Sequence, residues 1–177
     1  MFISARELEE KAALDAAARI VAAVRTAPKT KGVDIIRTCV LTDEHKERLA
    51  RKMEELGQEL HYDFFLRDAK NLDAAAAVVL IAAQEKRAGL GEGCSYCHFA
   101  GCDACAQAGG LCAFNAMDVG IALGSAAAMA ADLRVDSRIM FSIGRAAMAL
   151  GLPFEGATLV VGLPISVSGK SPFFDRK

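Results

Sequence analysis

Five of the six cysteines fall in one stretch, Gly93 to Cys112. They are Cys94, Cys97, Cys102, Cys105 and Cys112, with two, four, two and six residues between successive thiols. Thiolates gathered so closely by one loop can hold an iron–sulfur cluster or a zinc ion, or can pair as disulfides. Disulfides fit least. Met1 to Glu10 is acidic and lacks the apolar segment of a secretory leader, so the expectation is a reducing, cytoplasmic compartment where structural disulfides are rare. Zinc modules usually separate their C-x2-C knuckles by about a dozen residues or more, so that each turn approaches the metal from its own side. Short C-x2-C-x4-C and C-x4-C-x2-C spacings are those of iron–sulfur sites. Iron–sulfur is the favoured reading, and zinc stays open beside it.

The favoured ligand set is Cys94, Cys97, Cys102 and Cys112 around a 4Fe-4S cluster, with Cys105 as the alternative ligand. Cys97, Cys102 and Cys105 also give a 2Fe-2S spacing, but no cysteine follows Cys112 to supply the distant fourth ligand. Glycines at 91, 93, 101, 109 and 110 suit a loop that folds tightly around a cluster. Residues 91–113 therefore read as a cysteine-rich loop inserted into a single domain covering residues 1–177.

Composition removes several function classes. Net charge is −1, with acidic and basic residues interspersed, Trp absent and only two Tyr. Neither a basic stripe nor an aromatic stacking platform is available, so nucleic-acid binding is not expected. The longest uncharged apolar run, Ala74 to Ala83, is too short for a bilayer. The longer stretch from Phe114 to Leu133 is interrupted by Asn115, Asp118 and Asp132, so no membrane span is expected.

Helices and strands must position this loop. Ser4 and Glu7 form a capping box opening a first helix, with a stripe of Leu8, Ala12, Ala16, Ile20 and Ala23. Pro28 stops that helix near Ala27. The polar loop from Arg25 to Gly32 carries three cations, and Val33 to Leu41 reads as a strand. Cys39 stands alone in it as a small core residue. Thr42-Asp43 starts a second helix with Leu49, Met53, Leu56 and Leu60 buried and Gly57 near its stop. His45 and His61 are at no ligand spacing and read as surface histidines.

Arg67 to Leu72 reads as a polar turn with Asn71 as a cap, and Ala74 to Ala83 as a short helix finishing in a strand over Val78 to Ile81. After the cysteines, Phe114 to Leu133 is a long helix with Met117, Ile121, Gly124, Ala128 and Ala131 on one face. Asp118 near its start is explained by the helix dipole. Val135 to Phe141 reads as extended, Ile143 to Leu150 as a helix and Thr158 to Gly162 as a strand. Phe173 and Phe174 are costly to leave in water, so the tail is expected to dock.

Two family resemblances follow. The stretch from Arg25 to Asp34, the cysteine loop, D-V-G-I-A-L-G-S-A, V-D-S-R-I-M-F-S-I-G and S-G-K-S-P-F-F-D-R together resemble an uncharacterised prokaryotic family labelled as containing a ferredoxin domain. The C-x2-C-x4-C part is similar to small 4Fe-4S modules of Rnf-type electron-transport and corrinoid iron–sulfur proteins, with His98 where those have glycine. More distantly, the element order, Ala27-Pro28, Leu150-Gly-Leu-Pro153 and Val161-Gly-Leu-Pro164 resemble the nitroreductases.

That second resemblance implies an α+β fold with helices around a central sheet, FMN at a homodimer interface and electron transfer to a small-molecule acceptor or a redox partner protein. Two departures stand out: the R-R-S segment that holds the flavin phosphate has no counterpart, and Lys31 or Gly32 replaces the asparagine of the A-P-S loop. Lys29, Lys31 and Lys170 are the candidate phosphate contacts in its place. The expectation is thus a 4Fe-4S redox protein, flavin-linked in its fuller form. Its rival is a non-catalytic protein in which zinc or a sensing cluster orders a partner-binding surface.

Overall fold

The computed structural model describes residues 2–174. Four strands form one antiparallel sheet in the order β1-β2-β4-β3. They are β1 (Ile36–Leu41), β2 (Ala77–Ala83), β3 (Asp136–Ser137) and β4 (Leu159–Ser166). Helices α1 (Ala5–Thr26), α2 (Asp43–Leu60), α3 (Asp63–Asp73), α5 (Ala113–Asp132) and α6 (Phe141–Ala149) pack around it, and the short α4 (Cys102–Gln107) lies in the cysteine loop.

Every residue of β2 is buried, because the strand is central and carries helices on both faces. Val78, Leu80 and Ala82 join Leu49, Met53, Phe65, Leu72 and Ile143 of α2, α3 and α6. Val79, Ile81 and Ala83 face the opposite way, onto Ala13, Ala17, Ile20, Val119, Ala122 and Ala126 of α1 and α5. A strand buried on both faces reads as an unbroken apolar run. That is why sequence periodicity did not separate strand from helix over Ala74 to Ala83.

Several expected boundaries and faces are corrected. Arg67 to Leu72 is not a turn but the body of α3. Asp68 within it is buried and accepts a 2.6 Å hydrogen bond from the Ser142 hydroxyl of α6. The helix α2 runs through Gly57 to His61, which caps it in the left-handed conformation (φ 57°). A methyl on Gly57 would meet the Phe65 Cβ at 2.9 Å, so this glycine serves helix packing rather than termination. Leu60 is exposed, not buried.

The buried stripe of α1 is Ala13, Ala16, Ala17, Ile20 and Val24, rotated from the expected one so that Leu8 is exposed. On α5 the buried face is Asn115, Asp118, Val119, Ala122, Ala126 and Ala130, while Met117 and Ile121 are 47% and 43% exposed. Small apolar residues surround both helices, so periodicity carries little directional information there. The strand expected from Val135 shrinks to β3, and α6 begins at Phe141.

By length and hydropathy α5 has the makings of a membrane span, yet its small residues seat it on α1 and the sheet. Phe173 docks as expected, 2% exposed within the α2/α3/α6 core. Phe174 remains outside, its ring under the Arg138 guanidinium at 5.8 Å.

Candidate functional site

The chain between β2 and α5 carries the five loop cysteines, and all five line one small space of about 10 Å³. Cys102 opens α4 and Cys105 follows three residues later, while Cys112 is the residue just before α5. All six cysteines of the chain are free thiols. The space holds no more than about one water. Among the described residues no three His, Cys, Asp or Glu side chains stand together as a single-ion site. Loading a cluster therefore requires the loop to open around it.

Backbone donors already point at sulfur. The Ala113 N–H, in the first turn of α5, donates to Cys97 Sγ at 3.1 Å. That places the positive end of a long helix dipole beside the thiols. The N–H groups of Gly91, Leu90 and Gly89 hold the Cys102 thiol below its ordinary range, Gly91 most of all. Gly91 and Gly89 adopt φ 62° and 68°, left-handed values at which a side chain would strain the turn. Cys105 is pushed the other way, first by burial and then by the neighbouring Cys97, with the Arg87 charge opposing. The chain closes tightly over it: a methyl on Gly110 would stand 2.9 Å from Cys105 Sγ and 2.7 Å from the Phe99 ring.

A second cavity, of about 360 Å³, adjoins the first. Arg87, Ala88 and Phe114 line both. The remaining walls are Thr30, Lys31, Val33, Ile35, Lys86, Gly89, Asn115 and Asp118. Such a volume lies in the range of small-molecule sites.

Two buried polar residues of α5 build this cavity. Asp118 accepts from the Thr30 N–H at 3.0 Å and from its hydroxyl at 2.8 Å. It thereby pins the loop after α1, a tertiary role in place of the expected helix-dipole one. The Asn115 amide reads the Lys86 backbone, donating to its carbonyl at 2.7 Å and accepting from its N–H at 3.2 Å.

The three candidate phosphate contacts are not brought together. Lys31 lines the cavity, and its Nζ donates to the Ala88 carbonyl at 3.1 Å. Lys29 instead donates to the carbonyls of Arg25 and Ala27 at 2.7 and 2.8 Å, closing the end of α1. Lys170 borders a different groove, beside Arg6, Asp73 and Ser166. Sequence reasoning missed Thr30, Arg87 and Asn115. Asn115 had a signal, a polar residue in an otherwise apolar helix. Arg87 had none, because one more charge before a glycine-rich loop looks like solvent-facing chain.

The comparisons with known proteins add family and fold. Residues 108–176 match a family described as "Uncharacterized protein containing a ferredoxin domain". An uncharacterized protein of Archaeoglobus fulgidus is 39% identical over 184 residues, covering 99% of this chain and 98% of its own. The chain belongs to this family. The family match begins after Cys105, so of the five loop cysteines it includes Cys112 alone.

Among solved structures, a putative nitroreductase from Desulfovibrio desulfuricans in complex with FMN superposes with TM-score 0.58 at 15% identity, over 92% of this chain and 78% of that one. The hypothetical oxidoreductase YcnD from Bacillus subtilis gives TM-score 0.56 at 21% identity, over 89% of this chain. The chain spans 58% of the length of YcnD. The chain's mixed helix and antiparallel-sheet fold is thus nitroreductase-like.

Proposed function

We propose that the chain is an iron–sulfur redox protein whose cysteine loop holds a 4Fe-4S cluster and exchanges single electrons with a small molecule in the adjoining cavity or with a partner protein. One observation carries the reading: five thiols converge on one space that shares a wall with a ligand-sized cavity. The donor set fits the group. Four or more thiols are available, the Ala113 N–H donates to Cys97 Sγ, and the backbone of Gly89 to Gly91 favours the Cys102 thiolate; N–H···S bonds of this kind tune a cluster's potential. The cluster supplies a one-electron couple. This chain supplies its thiolates, the helix end beside them and the wall that keeps a ligand within electron-transfer reach.

Cys94, Cys97, Cys102 and Cys112 are the ligands in this reading, with Cys105 as the fifth thiol. The family's ferredoxin-domain description and the redox proteins that share the fold support it. The test is to replace single cysteines by serine and assay iron and acid-labile sulfide after anaerobic reconstitution. C102S is expected to lose cluster, and C105S to retain it. Full retention by C102S with loss in C105S would overturn the assignment.

A flavin is the second cofactor of this reading, making the protein a flavin-linked oxidoreductase. Its support is the FMN bound by the Desulfovibrio desulfuricans neighbour and the position of Lys31 at the cavity. We place the protein in the cytoplasm as a homodimer, in keeping with the reducing conditions that a thiol loop needs.

A further inference from the structure

Arg87 occupies an unusual position for a residue in a connecting segment. The residue lines both the cysteine space and the neighbouring cavity, and its charge acts on the Cys105 thiol. Its backbone is fixed from both sides, by Asn115 holding Lys86 and by Lys31 holding the Ala88 carbonyl. One terminal nitrogen pairs with Glu85 Oε1 at 3.1 Å. The Nε is buried and has no hydrogen-bond partner among the described residues. A buried donor left unpaired is costly, and in a native protein such an atom calls for a partner that the protein atoms do not provide.

The neighbouring cavity has its own charge pattern. Lys31, Lys86 and Arg87 line it against one carboxylate, Asp118, whose oxygens already accept from Thr30. The balance favours an anion.

We propose that Arg87 couples the two cavities: its Nε–H donates to a sulfur of the cluster, and its guanidinium charge is shared with a carboxylate or phosphate group of a small anionic ligand in the 360 Å³ cavity. The inference rests on the iron–sulfur reading above and extends it to the ligand class and to the residue that links ligand to redox state. Reduction adds one electron, and so one negative charge, to the cluster. Arg87 stabilises that added charge. An anion on the far side of the guanidinium offsets the stabilisation and lowers the potential. By linkage, reduction weakens anion binding by the same factor.

The experiment is a potentiometric titration of the reconstituted full chain with dithionite as the one-electron donor, after iron and sulfide have been assayed on each sample. In R87Q, with iron content unchanged, electron affinity is expected to fall about tenfold, which is 59 mV for a one-electron couple. R87K, which keeps the charge but lacks Nε, is expected to fall between R87Q and wild type. Inorganic phosphate at constant ionic strength is expected to lower the wild-type potential and leave that of R87Q unmoved.

A fully loaded R87Q with the wild-type potential overturns this proposal alone, as does a wild-type potential indifferent to phosphate. A wild-type chain that takes up neither iron nor sulfide overturns the redox reading, and this inference with it. The phosphate titration uses the wild-type chain, so it decides the matter even where a variant does not fold.

Discussion

Asp118 and Lys46 show how single charges can be kept inside this protein. Each is nearly buried and each is hydrogen-bonded: Asp118 accepts from the N–H and hydroxyl of Thr30, and Lys46 donates to the carbonyls of Leu72, Asp73 and Ala75 at 3.2, 2.8 and 2.8 Å. Asp34 works at the surface. The Arg25 guanidinium holds its carboxyl below the usual range, with smaller contributions from Arg37 and Lys29. A depressed carboxylate stabilises the fold above its unfolded value, and that contribution is lost as pH falls through the folded value. Because the pair is half exposed, it is worth only a few tenths of a kcal/mol to about 1 kcal/mol. D34N is therefore expected to be less stable than wild type at about pH 6, with the gap closing near pH 2. Urea unfolding at both values checks this, and a gap that widens in acid would contradict it.

At the scale of elements, α6 and β4 pack in tight contact through two glycines. A methyl on Gly144 would overlap the Val160 carbonyl, and one on Gly162 would overlap the Ile143 side chain. Backbone cannot yield as a flexible side chain can. G144A is expected to cost at least the 1–3 kcal/mol typical of overpacking, read as a lower urea midpoint with unchanged slope. An unchanged midpoint would show that α6 can withdraw from the sheet.

This scale also marks where sequence was and was not informative. The capping box of Ser4 and Glu7, the end of α1 before Pro28 and the start of α2 were legible, because local chemistry sets them. The faces of α1 and α5 were not, since alanine on both sides of α1, and alanine and glycine around α5, leave the helix angle to tertiary contacts. Within the site, the clustering of the five cysteines was legible from their spacing. The neighbouring cavity was not, because Thr30, Arg87 and Asp118 come from three separate segments and meet only through the fold.

For the whole molecule, two cores clasp one sheet, and the segment after β4 closes one of them through Phe173. F173A removes a fully buried ring and is expected to cost about 3–5 kcal/mol. F174A, at an exposed position, is expected to stay within about 0.5 kcal/mol of wild type. Equal effects in thermal unfolding would mean that the tail does not anchor the α2/α3/α6 face. The sheet and helices supply a rigid frame, and the cysteine loop is mounted between its central strand β2 and its long helix α5. That mounting lets one connecting segment form a wall of both cavities.

The measurement that bears most directly on this account is the metal content of protein purified without oxygen, taken with its electron paramagnetic resonance spectrum before and after reduction. About four irons and four sulfides per chain are expected, as a 4Fe-4S centre requires, with a paramagnetic signal that appears on one-electron reduction. Stoichiometric zinc without sulfide would make the loop a structural site and contradict the electron-transfer function.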